Sequence, residues 1–188
     1  MLKDIPDVEP DINSDYVVIS PFSKGKYRIY SADNYVKIID FITDKYNMPV
    51  IIIGGNHEIC RAQYIKDLCK KQDLVYNMAG KPLSESILYI RRARLLVANE
   101  TGTVHIAQNY NVKTVCISNG SYMGTFQPYP KEESYVFYVY PDNIFEYIRE
   151  HNAEGHSIEY DINKIEADKV NSVIEKVLQN GVSDYLAV

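Results

Sequence analysis

The residues best equipped for chemistry lie between 99 and 105, where Asn99-Glu100-Thr101-Gly102-Thr103 is followed closely by His105. An apolar run, Leu95-Leu96-Val97-Ala98, leads into them, and after them the spacing of apolar residues turns helical. A strand that delivers small polar residues to a helix start builds an anion site. Free backbone N–H groups and the positive end of the helix dipole point to one place there. A second group, Lys24, Lys26 and Arg28 around Gly25, follows another apolar run and supplies cations for the same anion. A third, "GGNHE" at 54–58, sets His57 and Glu58 at a further helix start.

Each group also has a purely structural reading. Thr101-Gly102-Thr103 fits an N-cap and turn, and His105 a hydrogen-bonded histidine of the fold. Glu58 and Glu100 sit where a carboxylate favours a helix dipole. The three cations fit a solvated loop. What argues for a ligand is that all of them fall on strand-to-helix connections, a coincidence that scattered solvated residues have no reason to show.

The elements that must position these groups alternate along the chain. Strands are expected at Tyr16–Ser20, Val50–Ile53, Leu74–Asn77, Leu95–Ala98 and Thr114–Ile117, with a sixth at Tyr135–Tyr138. Between them, Ser31 caps a helix carrying Tyr35, Val36, Ile38, Ile39 and Ile42, and Ile59, Ala62, Ile65, Leu68 and Cys69 mark the next. Ser84 caps a helix to about Ala93, Val104–Tyr110 is a short one, and Asp142 caps another to about His151. Val170, Val173, Ile174, Val177 and Leu178 form a final helical stripe. Strands joined by helix-length connections mean an α/β fold, with a doubly wound, mostly parallel Rossmann-like sheet. Such sheets bind ligands outside the carboxyl ends of their strands, where the strand order reverses. For the order 3-2-1-4-5-6 that point lies between strands one and four, and loops 21–30 and 99–103 leave those two strands. Residues 118–134 read as a long loop in which Tyr122, Phe126 and Tyr129 stack on a sugar or base, or else cover the sheet edge.

The chain's 188 residues suit one domain, 16–188, preceded by an acidic, proline-bearing arm or linker at 1–15. Twenty Lys and Arg against 25 Asp and Glu argue against a nucleic-acid module. Cys60, Cys69 and Cys116 have no C-x-x-C spacing and read as buried free thiols in a reducing compartment. No apolar run reaches the ~18 residues of a membrane span, and the amino terminus has no secretory core. A cytoplasmic location is therefore expected. G-x-G-x-x-G, G-x-x-x-x-G-K-[ST] and G-x-S-x-G do not occur, and no His/Cys/Asp cluster has metal-ligand spacing, so neither a cofactor nor a metal is expected.

"NETGTVHIAQNYNVKTVCI" resembles the D-[ST]-G-x-x-H-x-A-x-x-x-x-x-P segment of the heptosyltransferase family, glycosyltransferase family 9. "VVISPFSKGKYRIYSADNYVKII" is similar to its P-G-[AS]-S-x-x-K-x-W-P opening, and "VIIIGGNHEICRA" to its V-x-x-G-G-x-x-E segment. "NMAGKPLSESILYIRRARLLVANE" looks like its A-G-x-x-x-L-x-E-x-x-x-x-x-x-A stretch. Four motifs in register, over about residues 16 to 130, carry the likeness.

The resemblance implies the carboxyl-terminal, nucleotide-sugar-binding half of a GT-B glycosyltransferase. By position, Arg28 takes the place of the basic residue at the donor phosphates, with Ser23 and Lys24 on the same loop, and Glu58 that of the acid at the ribose. Glu100, Thr101 and Gly102 replace the Asp-Ser/Thr-Gly triplet, with Thr103 beside it, and His105 matches the family histidine. Tyr30-Ser31 stands in place of Trp-Pro, Glu100 in place of Asp and Lys113 in place of Pro. The loop "SNGSYMGTFQPYP" differs from the G-P-T of the heptose enzymes and suggests another donor or acceptor.

The function expected is therefore donor binding for transfer of a sugar from a nucleotide diphosphate to a cell-surface glycan or lipopolysaccharide-type acceptor. The resemblance implies a cation-free, inverting reaction. No catalytic residue is expected in this chain: the base and the glycan or glycolipid acceptor site would belong to an amino-terminal half. The chain alone would then be an incomplete enzyme, residues 1–15 the interdomain linker, and peripheral association with the inner membrane face compatible with the role. A non-catalytic nucleotide-sugar-binding module and half of a GT-B-type nucleotide-sugar epimerase are the alternatives.

Overall fold

Strands buried on both faces need unbroken apolar sequence, and the chain supplies it three times at its centre. Val17–Ile19, Val50–Ile52 and Leu95–Ala98 are all fully buried. The computed structural model describes residues 14–121, 123, 125, 128–130, 134–151 and 158–179. Its sheet has six strands: β1 (Val17–Ser20), β2 (Val50–Ile52), β3 (Val75–Asn77), β4 (Leu95–Asn99), β5 (Thr114–Ile117) and β6 (Val136–Val139). Their order is β3-β2-β1-β4-β5-β6, and every pairing is parallel rather than mostly so. Register sets Ser20 opposite Ala98, which places the ends of β1 and β4 side by side.

The described residues form six helices: α1 (Ala32–Tyr46), α2 (Ile59–Leu68), α3 (Leu83–Arg92), α4 (Gly102–Asn109), α5 (Ile144–His151) and α6 (Ala167–Gln179). Side chains alternate across a strand, so Val17, Ile19, Val97 and Ile117 meet α1, α2 and α6 on one face. Val18, Leu96, Ala98 and Cys116 meet α3 and α4 on the other. The doubly wound architecture is thus the one expected. The carboxyl-terminal helix crosses back to the start of the fold, where α6 packs on α1 and Glu175 pairs with Lys45 at 2.5 Å. None of the described helices is long and apolar enough to cross a membrane.

Local signals hold unevenly. The Ser31 hydroxyl caps α1 by accepting from the Asn34 N–H at 3.2 Å. Ser84 does not cap α3, because the helix begins one residue earlier at Leu83, with Pro82 at the cap position. Proline's fixed backbone angle suits a helix entry, so the hydroxyl is not needed there. The Asp142 carboxylate is engaged by the Lys169 ammonium of α6, while Asn143 leads into α5 in a left-handed conformation, φ 64°. Cys60, Ile59 and Leu68 are exposed on α2, because the helix buries only its Ala62–Ile65–Cys69 side. Cys60 is therefore not the buried thiol expected, whereas Cys69 and Cys116 are. Of the arm at 1–15 only Ser14 and Asp15 are described, and Tyr122 and Phe126 lie outside the described residues.

Candidate functional site

The end of β4 is fixed to the end of β1 by one buried side chain. Asn99 donates from Nδ2 to the Pro21 carbonyl at 2.8 Å and accepts on Oδ1 from the Tyr35 hydroxyl at 2.8 Å. Both groups are buried, and burial pushes the Tyr35 phenol well above its ordinary value. This clamp sets the loops at 21–30 and 99–105 next to one another on the carboxyl rim, as the strand order requires.

Beyond Asn99 the chain divides its polar residues between interior and rim. Glu100 is buried, 3% exposed, and its charge adds to the burial that raises the Cys116 thiol and the Tyr138 and Tyr140 phenols. Thr101 precedes α4 in extended conformation. Its hydroxyl meets that of Thr103 at 2.8 Å instead of capping the helix, and Thr103 Oγ1 donates to Ser20 Oγ at 3.2 Å. Three hydroxyls therefore run from the end of β1 to the start of α4. The helix begins at Gly102, two residues earlier than its periodicity suggests, which brings its amino-terminal end to the rim.

Thr101, Gly102 and Thr103 form one wall of a cleft of ≈ 480 Å³. Its other walls include Gly54, Gly55 and Glu58 from the β2 loop and Lys81, Leu83 and Ser86 around the start of α3. Phe22, Ile53 and Ile106 supply further apolar surface. Gly54 is glycine for reasons of space: a Cβ there would lie 2.7 Å from Phe22 Cδ2 and 2.9 Å from Glu58 Oε2. Glu58 makes the contacts of a helix-start acid and also lines the cleft. Oε2 accepts from the Gly55 N–H at 2.7 Å, and Oε1 lies 3.6 Å from His57 Nε2, while the side chain still lines the cleft.

The structure thus brings together Glu58, Thr101, Gly102 and Thr103. Ser23, Lys24 and Arg28 lie on the adjoining β1–α1 loop but do not line this cleft; Lys24 is exposed, and the Arg28 guanidinium folds over Gly25. His105 is exposed and meets the Tyr129 hydroxyl through Nδ1. Lys81, the cation that lines the cleft, was not singled out by sequence reasoning. Its signal is the Ala79-Gly80-Lys81-Pro82 turn at the carboxyl end of a strand. Among the described residues no three His, Cys, Asp or Glu side chains are grouped to hold a metal ion.

A family model described as glycosyltransferase family 9 (heptosyltransferase) matches residues 3–143. No curated protein matches the sequence. Among solved structures, a family 9 glycosyl transferase from Veillonella parvula superposes with a TM-score of 0.69 at 17% identity, over 87% of this chain and 46% of that one. The E. coli heptosyltransferase WaaC, with ADP-2-deoxy-2-fluoro heptose, gives 0.68 at 14% identity, over 93% and 47%. A UDP-GlcNAc 2-epimerase from Methanocaldococcus jannaschii gives 0.53 at 18% identity, over 90% and 47%. The chain spans about half the length of these structures.

Proposed function

The chain belongs to glycosyltransferase family 9, and from that premise we propose that it is the donor-binding half of a sugar transferase, holding a nucleotide-diphosphate sugar on the carboxyl rim of its sheet. The observation that carries this reading is the convergence of Glu58, Lys81 and Thr101–Thr103 on one cleft. Leu83, Ile53 and Ile106 offer apolar surface for a base, and Glu58 is an acceptor for ribose hydroxyls. The amides at the start of α4, with the Ser20, Thr101 and Thr103 hydroxyls, suit a diphosphate. Lys81 adds charge within the cleft, and Lys24 and Arg28 add it from the neighbouring loop.

In transfer, negative charge builds on the diphosphate as the glycosidic bond breaks. Fixed N–H dipoles and nearby cations favour that charge more than the ground state, which lowers the barrier. The acceptor, a glycan or glycolipid, and the base that takes its proton are assigned to a second domain, in keeping with relatives about twice this length.

A thermal-shift panel of ADP-, GDP-, UDP- and CMP-linked sugars tests the reading directly. One nucleotide series should raise the midpoint, and no shift with any of them would reject it. Calorimetry on Arg28→Ala should show weaker binding of the sugar that responds; unchanged affinity would remove Arg28 from the site. Turnover of the donor without any acceptor would point instead to an epimerase.

A further inference from the structure

We propose that the fold holds a second ligand site, separate from the donor cleft, which takes a small aromatic anion between the β1–α1 loop and α2. A cavity of ≈ 340 Å³ lies there, with Phe22, Tyr30, Tyr35, Cys60, Arg61 and Tyr64 in its lining. That volume is at the small end of ligand pockets, so it suits one or two fused rings rather than a peptide. Its buried rings are fixed. Tyr30 and Tyr35 meet edge to face, with centroids 5.5 Å apart and planes at 82°. Their hydroxyls are used by the fold: Tyr30 donates to the Ile165 carbonyl and Tyr35 to Asn99 Oδ1, both at 2.8 Å. These two tyrosines therefore offer an occupant ring surface, not hydroxyls.

Arg61 is the charged side chain of the lining. Its guanidinium stands over the Phe22 ring, 5.0 Å from the centroid, and pairs with no carboxylate among the described residues. A guanidinium held over a ring keeps in-plane N–H donors, a fork that matches a carboxylate, sulfonate or phosphate. The rest of the lining is aromatic or apolar, which favours a flat apolar body next to that charge. Phe22 lines both this cavity and the donor cleft, so the two sites share a wall. The approach to α2 divides in the same way. Glu58 lines the donor cleft, whereas Cys60 and Arg61 line this cavity.

Cys60 is exposed, and it lines this cavity but not the donor cleft, so its alkylation rate reads occupancy. The probes are 2-naphthoate and its neutral counterpart 2-naphthamide, titrated against alkylation of the native chain by iodoacetamide, each rate divided by that without probe. The acid should slow Cys60 alkylation to a plateau. The amide should need about ten-fold more for the same protection, the factor that a charge-assisted hydrogen bond supplies. Arg61→Gln should abolish this difference by weakening the acid alone, and Tyr64→Ala should weaken both probes. Arg61 and Tyr64 are exposed, so both variants should keep the thermal midpoint of wild type within a few degrees. Three results overturn the proposal: no protection by either probe up to its solubility, equal potency of acid and amide in wild type, or a preference for the acid that survives Arg61→Gln. Wild type alone decides the first two, whether or not a nucleotide sugar binds.

Discussion

Gly102 is the residue at which fold and ligand make opposite demands. It lines the cleft, and a Cβ built on it meets nothing within 4 Å. A side chain there would start in open space on the side of the cleft proposed for the ligand. Gly102→Val should therefore lower nucleotide-sugar affinity at least about ten-fold, roughly 1.4 kcal/mol, while the thermal midpoint stays within a few degrees of wild type. The cysteines offer a second test at this scale. Burial pushes the Cys69 thiol up to about 12 and holds the Cys116 thiol well above its usual value, whereas Cys60 is exposed. Thiolate is the reactive form, so a thiol reagent should label Cys60 alone in the native protein and all three after denaturation. Residue types were legible in the sequence here, but directions were not. Asn99 and Glu100 turn inward while Thr101–Thr103 face the cleft, because the two-residue alternation of a strand does not continue into a loop.

Among the elements, the junction of β1, β4 and α1 depends on the Asn99 clamp. Replacing Asn99 with Ala removes both bonds and leaves the Tyr35 hydroxyl and the Pro21 carbonyl buried without them. A loss of about 1–3 kcal/mol per stranded group is expected, measured as a lower urea midpoint, with nucleotide-sugar binding weakened in parallel because both rim loops lose their tie. Strand positions were legible to within a residue or two, since Val17–Ile19, Val50–Ile52 and Leu95–Ala98 are apolar without interruption. Helix entries were less so. At α3 proline sets the entry in place of the Ser84 hydroxyl, and at α4 the hydroxyl of Thr101 pairs with Thr103. Both competitors lie within two residues of the expected cap, and the sequence shows them without ranking them against it.

For the whole molecule, the doubly wound class was legible from the alternation of strand and helix, and the common order 3-2-1-4-5-6 is the one found, whereas the return of α6 to α1 was not legible. An apolar stripe on Val170, Ile174 and Val177 announces a buried face without naming what covers it. The fold's buried phenols predict its behaviour in alkali. Burial raises Tyr30 and Tyr35 above their usual value of 10.0, so above that pH the unfolded chain loses protons the native one keeps. Stability is then full below about pH 10 and falls as pH rises, by up to about 1.4 kcal/mol per unit for each such tyrosine. Urea midpoints measured across that range should fall, and Tyr30→Phe should flatten the slope. The order β3-β2-β1-β4-β5-β6 also divides the molecule into an early half and a late half, joined at β1 and β4 and by α6 on α1. The cleft straddles that seam, with Glu58 on one bank and Thr101–Thr103 on the other. The nucleotide sugar proposed to lie between them would act as a removable rivet: two fragments severed at the Gly80–Pro82 turn would reassemble more tightly in its presence, by RT ln(1 + L/Kd) for free ligand at concentration L.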